Sequence, residues 1–135
     1  MSDQPPISKR AARRLIQQAI VLTSRDRTVR QHIREARVAT LWVLEDWNFE
    51  WTVTIERGKV RFARRPARVP DMTLRWPEAD VFLTSIQEGH APDDSMEIEG
   101  DADFRQYVEP VYRTFCRSLE HVIREPVDDA GNPLM

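Results

Sequence analysis

The stretch from residue 49 to residue 62 leaves this chain few folds. Phe49, Trp51, Val53 and Ile55 alternate with Glu50, Thr52, Thr54 and Glu56, and Val60 and Phe62 then alternate with Lys59 and Arg61. Side chains on a strand point to opposite faces in turn, so a period of two gives each strand one apolar and one wet face. Arg57-Gly58 between the two runs reads as a two-residue hairpin turn. A loop of that length sets Glu56 opposite Lys59, Thr54 opposite Arg61 and Glu50 opposite Arg65. The apolar pairs become Ile55–Val60 and Val53–Phe62, so charge and hydrophobicity agree on one register. The apolar face of such a hairpin must be covered by another layer, which the rest of the chain has to supply.

Helices and further strands follow from the flanks. Residues 7–22 carry Ala12, Leu15, Ile16, Ala19 and Ile20 at helical spacing, with Lys9, Arg10, Arg13 and Arg14 in the first half. Thr23 with Asp26 resembles a capping box opening a second helix that runs to about residue 36, with Val29 and Ile33 inward. Residues 38–44 (VATLWVL) are β-branched and aromatic and apolar on both faces, which marks a central strand. One of two sets in it, Val38/Trp42/Leu44 or Leu41/Val43, must face outward or lie beneath an extra helix. Asp46-Trp47-Asn48 reads as a turn and residues 65–70 as a loop with two prolines.

Met72, Leu74 and Trp76 alternate as a fourth strand. Pro77 suits the first turn of a helix, Glu78 and Asp80 favour its positive end, and Gly89 can terminate it. Val81, Phe82, Leu83 and Ile86 form its apolar face. Residues 96–99 make a short strand with Met96 and Ile98 inward, and Asp101 can cap the helix that follows. Phe104 and Val108 share one side of that helix, Pro110 must kink or restart it, and Val111, Tyr112, Phe115, Leu119 and Val122 continue its stripe as far as Glu125. These elements describe a single α+β domain: a five-stranded, mostly antiparallel sheet with helices covering one face. A basic helical segment occupies residues 7–27 and the core residues 28–124, with loose ends at 1–6 and 126–135.

Composition narrows the function classes. At 135 residues, 41% hydrophobic and 31% charged, the chain is one soluble globular domain. Residues 1–68 carry a formal charge of +8 and residues 69–135 one of −10, for −2 in all. The two halves therefore attract each other, within one fold or across a head-to-tail dimer. The acidic half would repel phosphates, which excludes nucleic acid as a partner. Eighteen arginines against two lysines read as the bias of a GC-rich genome. The start of the chain does not resemble a secretory signal, no run is long enough to span a bilayer, and the lone Cys116 fits a reducing cytoplasm.

Three segments together resemble the sterol carrier protein-2 domains. Residues 71–89 (DMTLRWPEADVFLTSIQEG) are similar to that family's strand of the form "adatlt" running into a helix of the form "edllallsG". Residues 95–101 (SMEIEGD) are similar to its "klkieGd" strand, and residues 51–60 (WTVTIERGKV) to its tryptophan-led hairpin ending in "dGkv". Their order and spacing agree across residues 28–124. The resemblance implies a five-stranded sheet under helices, enclosing an apolar tunnel for sterols, fatty acyl chains or similar lipids, with no cofactor and no catalysis. Members also act as accessory modules that hold an apolar molecule for a partner enzyme or help to dimerise one. Asp94 and Glu97 replace the lysines usual before "ieGd", and no peroxisomal address closes the chain.

The candidate ligand site is accordingly apolar. Trp51, Val53, Phe62, Met72, Leu74 and Trp76 come from the inner sheet face, Met96 and Ile98 from the fifth strand, and Phe82, Ile86, Phe104 and Val108 from the helices. The alternative is that the same side chains fill a solid core, leaving a protein-interaction or dimerisation module on the same fold. Lys9, Arg10, Arg13 and Arg14 beside an apolar stripe have the makings of a transient contact with an anionic membrane surface; an ordinary packing helix explains them as well. The basic run Arg57, Lys59, Arg61, Arg64, Arg65 and Arg68 reads as a wet face paired with Glu50 and Glu56. Asp93, Asp94, Glu97, Glu99, Asp101 and Asp103 lack the spacing of a calcium loop, and His32, His90 and His121 stand alone, so no metal is expected. Cys116 reads as a buried, inert thiol. No motif nominates an enzyme.

Overall fold

A computed structural model describes residues 8–64 and 69–125. The expectations for residues 1–6, for Glu50 opposite Arg65 and for the tail from residue 126 lie outside the described residues.

The hairpin forms in the register its pattern requires. Strand β2 (Phe49–Glu56) pairs antiparallel with β3 (Lys59–Ala63), with Glu56 opposite Lys59, Ile55 opposite Val60 and Val53 opposite Phe62. Its turn holds Arg57 at φ 48° and Gly58 at φ 82°. Both values are positive, as a hairpin turn matching the right-handed strand twist requires, and glycine meets the second without strain. Strand β1 (Arg37–Leu44) lies at the centre of the sheet, antiparallel to β2 and parallel to β4 (Met72–Trp76). Strand β5 (Glu97–Gly100) closes the far edge, antiparallel to β4, giving the order β3-β2-β1-β4-β5. Gly100 is needed there because a Cβ would collide with the Asp71 carbonyl oxygen.

The register settles which way β1 faces. Trp42 stands between Trp51 and Leu74, Thr40 between Val53 and Met72, and Leu44 between Phe49 and Trp76. Val38, Trp42 and Leu44 join the main hydrophobic cluster, whereas Leu41, half-buried, and Val43, buried, lie on the opposite face. Helix α1 (Lys9–Arg25) buries Ala12, Ile16, Ala19 and Ile20 in the same core, so its apolar stripe packs inward while Lys9, Arg10, Arg13 and Arg14 stay exposed. The Arg13 guanidinium lies over the Phe49 ring at 4.9 Å. Helices α2 (Arg27–His32), α3 (Ala79–Gln87) and α4 (Arg105–Arg124) add Val29, Phe82, Ile86, Phe115 and Leu119 to that core.

Several local expectations are corrected. Thr23 does not cap α2: its hydroxyl donates to the Ala19 carbonyl at 2.8 Å inside α1. Asp26 is the cap instead, its carboxylate accepting the Val29 N–H at 2.9 Å, and α2 ends at His32 rather than near residue 36. Pro77 and Glu78 precede α3, whose first N–H, from Ala79, is bound by Asp46 Oδ1 at 2.9 Å. Helix α4 passes through Pro110, its sixth residue, without ending, and Asp101 caps a 3-10 turn (Ala102–Phe104) before it. Strand β5 begins one residue late. Ile98 pairs with Leu74 but remains 40% exposed, because an edge strand has a neighbour on one side alone.

The two faces of β1 predict unequal mutational costs. Trp42→Ala empties a fully buried site and should cost about 3–5 kcal/mol, whereas Leu41→Ala on the opposite face, where the side chain is half-buried, should cost about 1–2 kcal/mol. Urea unfolding of both variants checks this, and equal losses would contradict the orientation of β1.

Candidate functional site

The space between the inner sheet face and the helices is filled by aromatic rings. Trp42 lies 4.9 Å from Phe115, 5.9 Å from Trp51, 5.9 Å from Trp76 and 6.1 Å from Tyr112, centroid to centroid. Trp76 meets Phe82 at 4.8 Å, and Phe49 meets Trp51 at 4.9 Å. Most of these contacts are tilted or edge-to-face, the arrangement that ring quadrupoles favour. Two of the three buried indoles bond their N–H groups, while Trp51 Nε1 is buried with no hydrogen-bond partner among the described residues. Trp42 Nε1 donates to Thr40 Oγ1 at 2.8 Å, and that hydroxyl donates onward to the Val53 carbonyl at 2.6 Å. Trp76 Nε1 donates to the Pro92 carbonyl at 3.0 Å.

The candidate ligand residues fall into two groups. Trp51, Val53, Met72, Leu74 and Trp76 on the sheet are buried together with Phe82 and Ile86 of α3 and Val108 of α4. Phe62 is half-buried on the β3 edge. At the other edge, Met96 and Phe104 are half-buried around β5, and Ile98 is exposed. The expectation that Ile98 points into a closed interior is thus corrected: it stands at a rim. Trp42, at the centre of the cluster, was not among the candidates, because a strand apolar on both faces gives no signal of which face turns inward.

Polar chemistry gathers beside this core rather than within it. Asp93 receives the Tyr112 hydroxyl at 2.8 Å and the Arg113 guanidinium at 2.8 Å, fastening the loop before β5 to α4. Glu99 pairs with Arg75 at 2.8 Å, and Asp101 caps the turn after β5. Among the described residues, no group of three or more His, Cys, Asp or Glu side chains could hold a metal ion. No described helix is long and apolar enough to cross a membrane. An open groove of about 480 Å³ between the α1–α2 junction and α4 is lined by Asp26, Thr28, Thr114, Arg117 and His121. A second, of about 220 Å³, has Ile86, His90, Arg113 and Cys116 on its walls.

Burial, aided by the Asp93 charge, pushes the Cys116 thiol up to about 12 despite its hydrogen bond with Tyr112. Burial, with Cys116 and Asp93 close by, also drives the Tyr112 hydroxyl far above the ordinary tyrosine range. Both groups hold their protons more tightly folded than unfolded. The Cys116 contribution to stability is therefore fully present below pH 9, the ordinary thiol value, and is lost as pH rises through about 12. At pH 8 the native thiol should react with a disulfide reagent about 1,000-fold more slowly than the thiol of the guanidinium-unfolded chain, as the thiolate fractions dictate. Comparable rates would contradict the burial of Cys116.

No protein-family model matches the chain, and no curated protein sequence matches it. Among solved structures, it is similar to UbiJ, a ubiquinone synthesis protein, in its sterol carrier protein-2 domain: TM-score 0.52 and 13% identity over 82% of this chain and 99% of that one. A conserved hypothetical protein of Thermus thermophilus, described as a candidate sterol carrier protein, superposes with TM-score 0.55 and 9% identity, over 90% of this chain and 92% of that one. A stereoselective inverting sec-alkylsulfatase of a Pseudomonas species gives TM-score 0.48 at 13% identity; the match covers 63% of this chain and 14% of the sulfatase. The five-stranded mixed sheet, its layer of helices and the two near full-length matches make this chain a sterol carrier protein-2-like α+β fold.

Proposed function

We propose that this chain is a non-catalytic binding module for an apolar ligand, received between the inner sheet face and helices α3 and α4 through the β5 edge. The observation that carries the reading is one row of side chains across the sheet. Ile98 is 40% exposed, its partner Leu74 is 2% exposed, and the next residue in the row, Trp42, is fully buried. Water-exposed apolar surface thus runs into the core within two strand spacings, beside the half-buried Met96 and Phe104. An acyl chain or a sterol-like ring system entering there would transfer apolar surface from water to the ring cluster, worth about 25 cal/mol per Å² buried. The names borne by the two near full-length structural matches, a ubiquinone synthesis protein and a candidate sterol carrier, support an apolar ligand.

A second reading is favoured by the ring packing itself: the fold serves as a protein-interaction module whose cavity is filled. Native mass spectrometry of freshly purified protein separates the two, since a carrier retains lipid. In the binding reading, long-chain fatty acids or sterols shift and saturate the tryptophan fluorescence, with little dependence on salt. Val108→Trp should weaken that binding at least tenfold while the protein stays folded, because overpacking a core costs only about 1–3 kcal/mol. If no lipid in a broad panel perturbs the tryptophans and none co-purifies, the interaction module replaces the carrier.

A further inference from the structure

The face of the sheet opposite the rings has an ordered charge pattern. Its centre is built of small or medium side chains that face away from the ring cluster: Ala39 and Leu41 are half-buried, and Val43, Thr52 and Thr73 are buried among their neighbours. Lys59 and Arg61 of β3 are exposed at one corner, in the rows of Arg37 and Ala39; Glu56 lies between Lys59 and Arg37 and pairs with Arg37 at 3.8 Å, so the corner keeps a net positive charge. Glu97 and Glu99 of β5 are exposed at the diagonally opposite corner, in the rows of Val43 and Leu41. Glu99 bonds Arg75 on the same face and keeps 62% of its side chain exposed.

We propose that this face docks a second copy of the chain, sheet against sheet, about a twofold axis lying between the two faces. A twofold contact presents the same patch from both partners, so a surface must complement itself. Rotation about an axis crossing the basic–acidic diagonal puts Lys59 and Arg61 of one copy over Glu97 and Glu99 of the other, twice. Docking the two copies with like corners together would oppose like charges instead. No side chain at the centre is bulky enough to hold the sheets beyond the roughly 10 Å spacing of packed sheets. Five strands about 4.8 Å apart and some 17–20 Å long offer roughly 500 Å² per copy. A total near 1,000 Å² is at the small end of specific interfaces, so the dimer is reversible and salt-dependent rather than obligate.

Charge reversal tests this with the full chain. In sedimentation velocity the wild-type protein should dimerise as its concentration rises, and raising sodium chloride from 20 to 500 mM should weaken the dimer at least tenfold. The variant carrying K59E and R61E has two acidic corners, and the variant carrying E97K and E99K has two basic ones. Each alone should be monomeric, and an equimolar mixture should recover the dimer as a heterodimer. All four positions are exposed, and far-ultraviolet circular dichroism confirms that the variants fold. Leu41→Arg, at the centre of the face, gives an independent loss of association without touching the corners. A wild-type chain that is monomeric at millimolar concentration in low salt overturns the proposal. So does a dimer that neither variant disrupts, which would place the contact elsewhere, or a mixture that stays monomeric.

Discussion

The inward setting of Trp42 is the constraint on which the remaining structure depends. Its indole is the largest group on the central strand, and Thr40 accepts its N–H in the fully buried site. Thr40 in turn donates to the Val53 carbonyl, so one threonine satisfies the buried indole and adds a side-chain tie to β2. A shift of one residue would turn Trp42 to solvent and bring Leu41 and Val43 inward, reversing both faces of β1. The position of α4 follows, since Phe115 and Tyr112 meet Trp42 from above. The position of α3 follows through Trp76 and Phe82.

The same packing sets where the proposed ligand would enter. Rings close the middle of the inner face, and α1 lies over the β3 side, with Arg13 stacked on Phe49. The β5 edge is different. Its strand has four residues, all exposed, and the loop before it is held by polar ties: Trp76 to Pro92, and Tyr112 and Arg113 to Asp93. Such bonds fix the rim without filling it, so Met96, Ile98 and Phe104 remain as an apolar margin beside a closed core. The polar groups near the core thus act as fasteners, and the ligand reading rests on apolar contact.

Legibility in the sequence followed the reach of the interactions concerned. The β2–β3 register was readable because alternation and cross-strand charge are both local and agree. The direction β1 faces was not, because both of its faces are apolar and the deciding contacts come from α4, some 70 residues on. Helix ends failed in a similar way. Asp46, more than 30 residues away, binds the first N–H of α3, and Thr23 turned back into its own helix. The parallel pairing of β1 with β4 was invisible because alternation carries no sign of strand direction. Most of the candidate ligand residues do face one space. Their spacing could show a shared face but not the volume left between rings, nor that Ile98 stands at an open edge.

A methyl-resolved NMR titration of protein labelled at Ile, Leu, Val and Met side chains, with palmitate as the probe, tests the central claim most directly, since it reads both sheet faces at once. Entry through the β5 edge predicts the largest shifts at Ile98 and Met96, smaller ones at Leu74 and Val108, and none at Leu41 or Val43. Shifts confined to Leu41 and Val43, or none anywhere at saturating palmitate, would contradict the account.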